Sequence, residues 1–193
     1  HERFLVIEVF GRYAGFTALL PAMAGAADRC VIPESPFDMD HLCELLVADR
    51  RKHSSRYSVV LISEGATVRD GKMSYESEEM DQYGHRKLGG IGDTVSARLK
   101  ELSPKYNDGL QVNVVNQRLS YLVRCGAPDA MDSIAPMAFG NLCLDLIGAN
   151  RFHRLVSVRN GIYDHVPINV VTGRKKVVDV ERYYNRERLR PLY

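Results

Sequence analysis

The sequence predicts an α/β fold: a layered α/β/α domain on a mostly parallel, Rossmann-like sheet, with a β-hairpin late in the chain. Three observations carry that expectation. Apolar runs of strand length alternate with stretches of helical period along the chain. The runs at 4–10 and 57–62 are nearly unbroken in β-branched and aromatic residues, as in strands buried on both faces. Asn160-Gly161 separates two further runs at 154–158 and 162–168, the strongest short-range hairpin signal.

Each element follows from local chemistry. The first strand ends at Gly11, and a helix over 16–26 follows in which Pro21 should produce a kink or a late start. A short strand at 29–32 stops at Pro33. Asp38 or Asp40 then caps a helix reaching His53, with Leu42, Cys43, Leu45 and Leu46 on its apolar side. The strand at 57–62 delivers Glu64 and Gly65 at its end. Residues 66–84 are polar and acidic and read as an exposed loop. A helix over 93–102 closes at Ser103-Pro104, a strand spans 110–115, and a connecting segment fills 116–128. A long amphipathic helix over 129–147 ends at Gly148-Ala149-Asn150. Beyond the hairpin, basic residues outnumber acidic ones over 174–190, which reads as a solvated helix with paired charges.

Length and charge set the function classes. A chain of 193 residues suffices for one core, so a single domain over 1–193 is expected. Lys and Arg number 26 against 24 Asp and Glu, which argues against a polybasic nucleic-acid binder. Charge, Pro or Gly interrupts the apolar runs before the ~20 residues of a membrane span, so a soluble chain with no membrane partner is expected. Cys30, Cys43, Cys125 and Cys143 lie far apart without a C-x-x-C pair, as free thiols in a reducing, cytoplasmic compartment. The abrupt start at His1, running almost directly into a strand, suggests a piece of something longer.

Several chemistries lack their motifs. The Walker spacing fails at Gly71-Lys72, where Ala66 and Met73 stand at required positions. Gly89-Gly90-Ile91-Gly92 does not complete G-x-G-x-x-G, and no H-E-x-x-H, G-x-S-x-G or His/Cys ligand cluster occurs. Arginines and a carboxylate at strand ends remain. Ligands of open parallel sheets gather there, which directs attention to Gly11-Arg12, Glu34, Ser63-Glu64 and 121–126. Arg12 could fork onto a phosphate or serve equally as a surface ion pair. Glu64 could accept from sugar hydroxyls or cap a helix, and Tyr121 with Arg124 could clamp an anion or form an ordinary turn.

Taken in order, five segments resemble the phosphofructokinase family. Glu8-Val9-Phe10-Gly11-Arg12 with Gly15 is similar to E-V-M-G-R-x-x-G, with Phe10 where Met is common. Ile32-Pro33-Glu34-Ser35-Pro36-Phe37 resembles I-P-E-x-P-F, and Ser63-Glu64-Gly65 resembles a strand ending in S-E-G. The stretch 84–92 is similar to one branch of the family, and 119–126 resembles L-G-Y-x-x-R-x-G with Ser120 in place of a common Gly.

The resemblance implies transfer of a phosphoryl group from ATP or pyrophosphate, with Mg2+, to the 1-hydroxyl of fructose 6-phosphate. It implies that Phe10 and Gly11 hold the sugar and that Arg12 reaches the transferring group as the catalytic residue. Glu64 would bind sugar hydroxyls, and Tyr121 and Arg124 would grip the substrate. Arg3 would cross to a neighbouring subunit's 6-phosphate, making the protein a homo-oligomer. A second neighbour-donated arginine is expected at position 115, which is Val115 here, so Arg118 is the candidate substitute. The family's glycine-rich donor loop and its T-I-D-N-D segment are absent from this sequence, so the donor-binding half, its metal and its general base are expected outside it. On that reading the chain supplies the sugar-phosphate site and is inactive alone. The alternative is a non-catalytic sugar-phosphate-binding or regulatory module with the same fold.

Overall fold

The computed structural model describes residues 2–69, 75–80, 86–88, 90–173 and 175–193, apart from the side chains at 75–80, 86–88, 121 and 124. Two compact units result, His1–Tyr121 with Val177–Tyr193, and Leu122–Lys176.

The first unit is built on four parallel strands in the order β2-β3-β1-β6, with β1 at Arg3–Val9, β2 at Arg29–Val31, β3 at Ser58–Ser63 and β6 at Asn113–Arg118. β1 and β3 pair in register from Phe4 with Ser58 to Val9 with Ser63. Helices α1 (Phe16–Met23), α2 (Met39–Lys52) and α3 (Ile91–Tyr106) flank the sheet. The core is the fully buried set of Phe4 and Val6 from β1, Val60 and Ile62 from β3, Leu42 and Leu46 from α2, and Val95 and Leu99 from α3. Burying aliphatic and aromatic side chains contributes roughly 1.5–3 kcal/mol each, so this cluster is what makes the sheet edge a rigid platform. Buried Arg29 joins β2 to α2 through a two-pronged pair with Asp49 at 2.6 and 2.8 Å, and also donates to the Arg188 carbonyl at 2.5 Å.

Local chemistry decides between the alternatives left by the sequence. Asp38 is the cap of α2, its carboxylate accepting from the His41 amide at 2.8 Å, while Asp40 turns to Lys105 and Tyr106. Those two donors hold the Asp40 carboxyl below the usual carboxylate range. α1 ends at Met23, shorter than 16–26, with Pro21 inside it. α3 does not stop at Ser103-Pro104. Pro104 has no N–H for the Lys100 carbonyl, and the Ser103 hydroxyl donates to that carbonyl instead, at 3.1 Å, letting the helix run on to Tyr106.

Other expectations are corrected. Part of 66–84 is strand: β4 (Tyr75–Met80) pairs antiparallel with β5 (Arg86–Leu88), whereas 70–74, 81–85 and 89 lie outside the described residues. The last sheet strand lies three residues later than 110–115, because the Leu110 carbonyl closes a turn by accepting from the Asn107 side chain while pairing with β1 begins at Asn113. The basic stretch near the end is no long helix. It holds a single turn, α6 (Val180–Tyr183), capped by Asp179, and a two-residue hairpin of β9 (Tyr184–Asn185) and β10 (Arg190–Pro191).

The second unit holds α4 (Ala130–Gly148), the antiparallel pair β7 (Arg154–Arg159) and β8 (Ile162–Pro167), and the short α5 (Val170–Gly173). The hairpin forms as expected: Asn160 and Gly161 both take positive φ, 51° and 78°, which matches the strand twist. α4 is not the amphipathic helix expected. Asp132, Ser133, Asn141 and Asp145 are spread around it, apolar residues occupy the remaining directions, and only Leu146 of its 19 residues is buried. It is also the one described helix long and apolar enough to cross a membrane, against the expectation that no such segment exists.

Candidate functional site

The carboxyl edge of the sheet gathers three loops. β1 is central, flanked by β3 and β6, and the chain leaves β3 for the far side of β1, the topological reversal at which open parallel sheets form ligand crevices. Backbone hydrogen bonds fasten the loops together. The Glu64 amide donates to the Val9 carbonyl at 2.9 Å, the Gly65 amide to Gly11 at 3.1 Å, and the Leu119 amide to Glu8 at 3.0 Å. Phe10-Gly11-Arg12, Glu64-Gly65 and the start of the segment after β6 therefore share one edge.

Two glycines permit this closeness. Gly11 takes φ +143°, and a Cβ there would stand 2.8 Å from the Ala14 carbonyl oxygen and 2.9 Å from Ser63 Oγ. Gly65 is tighter still, since a Cβ would lie 1.9 Å from the Arg12 carbonyl oxygen. The Thr17 hydroxyl donates to the Phe10 carbonyl, and the Glu34 carboxylate accepts from the Gly15 amide at 3.0 and 3.1 Å and from Val178 at 2.8 Å. Glu34 thus braces the loop that carries Arg12. Phe10, Arg12 and Glu64 are half-buried, each with interactions in the folded chain. Ser63 Oγ is buried beneath them and makes no hydrogen bond among the described residues.

Beside this edge lies a charged network that sequence reasoning missed. Glu8, 6% exposed in the middle of β1's apolar run, accepts from the Gly92 amide at 2.8 Å at the first turn of α3. A carboxylate is favoured there by the exposed amides and dipole of the helix. Arg118, at the end of β6, lies 3.8 Å from Glu8 and donates to Asp93, which also accepts from Asn116 at 2.6 Å. The available signal was Glu8 itself, one carboxylate in an otherwise apolar strand.

The remaining expected residues are placed as follows. Arg3 opens β1 at its amino end, about 20 Å from Val9 at the other end of the strand at ~3.3 Å per residue, and lines an open pocket of about 370 Å³ with Leu5, Ser55 and Tyr57. It does not join Arg12 within one chain. Tyr121 and Arg124 belong to the 3₁₀ turn Ser120–Arg124 that follows β6, and their side-chain roles lie outside the described residues. Among the described residues no group of three or more His, Cys, Asp or Glu could hold a metal ion. Glu8 and Asp93 are engaged with Gly92, Arg118 and Asn116 and do not form an open oxygen cage for Mg2+.

Comparison with known proteins agrees with this architecture. The sequence profile described as phosphofructokinase matches residues 1–147. A pyrophosphate–fructose 6-phosphate 1-phosphotransferase of Streptomyces coelicolor is 34% identical over 95% of the chain and 51% of its own length. An ATP-dependent 6-phosphofructokinase of Mycobacterium leprae is 30% identical with the same coverage. The chain spans about half the length of these curated relatives. A crystal structure of a pyrophosphate-dependent phosphofructokinase from Nitrosospira multiformis superposes with TM-score 0.73 at 18% identity, over 98% of this chain and 45% of that one. The phosphofructokinase structure from Saccharomyces cerevisiae gives 0.63 at 23% identity, over 89% and 20%.

Proposed function

The chain belongs to the phosphofructokinase family, and from that premise we propose that it supplies the fructose 6-phosphate-binding portion of a 6-phosphofructokinase. The observation that carries this reading is the convergence of the loops after β1, β3 and β6 on one edge, bringing Arg12 and Glu64 onto adjacent, mutually hydrogen-bonded backbones. A sugar phosphate needs both a fixed cation and hydroxyl acceptors on a rigid surface.

In this reading the Phe10-Gly11 backbone seats the sugar, and Glu64 accepts hydrogen bonds from its hydroxyls. Arg12 offsets negative charge on the group being transferred to the 1-hydroxyl, an interaction that strengthens as charge redistributes in the transition state. Tyr121 and Arg124 are given their part in holding the substrate by the family resemblance alone. The 6-phosphate is met by Arg3 of a neighbouring subunit, supported by its place at the opposite end of β1, about 20 Å from Val9, which one chain cannot close around one sugar. The protein is then a homo-oligomer with shared sites. Arg118, tied to Asp93, contributes to the positive side of the crevice where Val115 offers no charge. ATP or pyrophosphate, with Mg2+ supplying charge neutralisation on the donor, is held by polypeptide outside this chain, as is the base for the 1-hydroxyl. We place the protein in the cytoplasm, where the exposed thiols of Cys125 and Cys143 stay reduced.

Calorimetric titration of the longer gene product tests the binding half of this proposal. Fructose 6-phosphate should bind at least tenfold tighter than fructose in the wild type. Equal affinity for both sugars would refute a built phosphate site.

A further inference from the structure

Arg118 is held by two carboxylates of unlike character. Its backbone stands opposite Glu8 on the parallel ladder of β1 and β6, so both side chains leave the sheet on the same face, near the carboxyl end of the strands. Its Nε lies 3.8 Å from the buried Glu8 carboxylate, which is itself fixed on the Gly92 amide. A different nitrogen, Nη2, donates to Asp93, whose side chain is 62% exposed on the first turn of α3. The Arg118 side chain is 35% exposed, so the guanidinium reaches solvent.

Breaking the two contacts has different costs. Drawing the arginine off Glu8 strips counter-charge from a buried acid, whereas an exposed pair such as that with Asp93 contributes little, because water takes up the released carboxylate. Asn116 Nδ2 donates to Asp93 at 2.6 Å, so the acid keeps a protein partner when the arginine leaves. We propose that Asp93 is the exchangeable partner of Arg118 and sets the affinity for the phosphorylated sugar. A phosphate group draws Nη2 away from Asp93, while Glu8 keeps the guanidinium at the strand end. Phosphate carries more charge than a carboxylate and binds the same guanidinium donors, so the exchange runs toward the ligand. Arg118 is the one cation of β6, and Val115 offers none. The inference rests on the reading that fructose 6-phosphate binds at this edge of the sheet.

The test is calorimetric titration of the longer gene product with fructose 6-phosphate and with fructose. Asp93→Asn removes the competing charge while keeping an acceptor for Asn116, and should tighten fructose 6-phosphate by roughly two- to fivefold with fructose unchanged. Arg118→Gln should weaken fructose 6-phosphate by about tenfold or more. In the Arg118→Gln background, Asp93→Asn should change nothing, because Asp93 acts only through the arginine. Asp108→Asn is the charge control: that residue lies beyond the other end of α3, paired with Arg51, at a φ of 54° that Asn adopts readily, and affinity should stay at the wild-type value. Should Asp93→Asn lower the melting temperature, Asp93→Ser must show the same gain. Unchanged or weaker binding in the Asp93 variants would overturn the proposal, as would equal tightening by Asp108→Asn or a gain that survives Arg118→Gln. A wild type that does not prefer fructose 6-phosphate to fructose would sink the functional reading and this inference with it. Preference without the gain from Asp93→Asn would sink the inference alone.

Discussion

Gly65→Ala is the sharpest perturbation of the platform. The new methyl would sit 1.9 Å from the Arg12 carbonyl oxygen, 2.6 Å from its carbon and 2.9 Å from its Cα. Ordinary carbon–oxygen contact begins near ~3.2 Å, so one of the two loops must retreat by about 1 Å, and the atoms in the way are backbone. The retreat stretches the bond from the Gly65 amide to the Gly11 carbonyl, now 3.1 Å, and shifts Arg12 against Glu64. Overpacking of this kind costs about 1–3 kcal/mol, or roughly 2–10 °C of melting temperature in a chain of this size. A displacement of ~1 Å in a positioning element costs on the order of 100-fold in rate. The comparison is Gly109→Ala, where φ is +80° and nothing lies within 4 Å of the added carbon. It should cost about 1 kcal/mol of backbone strain and leave kinetics untouched. Both variants are made in the longer gene product and assayed for fructose 6-phosphate phosphorylation and thermal unfolding. A Gly65→Ala enzyme with wild-type rate and affinity would refute the view that these two loops are held in register by glycine.

Other outcomes follow from the same structure. Asp49→Ala leaves the Arg29 guanidinium buried without its carboxylate and should cost about 3–5 kcal/mol in denaturant unfolding, partly restored by pairing it with Arg29→Met. Asp38→Ala removes the α2 cap and should cost about 1 kcal/mol in the same measurement. Two of four thiols should react with Ellman's reagent in the native chain and all four in denaturant, because burial excludes Cys30 and Cys43 and pushes each thiol up to about 12. A folded-state value raised above the unfolded 9.0 favours the neutral thiol, so the stability these two groups confer is complete below about pH 9. It falls as pH rises toward 12, and Cys30→Ala with Cys43→Ala should flatten that decline in unfolding curves taken across the range.

The parts of the fold written in apolar continuity were legible. β3 is buried on both faces, whereas β1 buries Phe4, Val6 and Glu8 on one face and leaves Leu5 and Ile7 half-buried on the other; both runs are apolar enough to declare themselves strands, and the Asn160-Gly161 turn declared its hairpin through backbone preference alone. Where tertiary pairing overrides local pattern, the reading slipped. β6 continues through Asn116, Gln117 and Arg118 because β1 pairs with it, although nothing apolar marks those residues, and this moves Arg118 from a loop to a strand end beside Asp93. Pro104 suggested a helix end because the Ser103 hydroxyl's substitution for its missing amide is a side-chain event that spacing does not encode. Arg12 and Glu64 stood out as strand-end groups, but the carboxylate brace of Glu34 on the Gly15 and Val178 amides is a long-range contact invisible to local reading. The pattern over 129–147 predicts an amphipathic helix, yet the polar residues of α4 do not align on one face.

The central claim is that this chain carries the sugar-phosphate side of phosphoryl transfer with Arg12 at the reacting group. The rate of fructose 6-phosphate phosphorylation by the longer gene product, wild type against Arg12→Ala, tests it most directly. Active wild-type enzyme is expected, with a fall in kcat on the order of 100- to 1,000-fold in the variant and its melting temperature preserved. An undiminished rate in Arg12→Ala would contradict it.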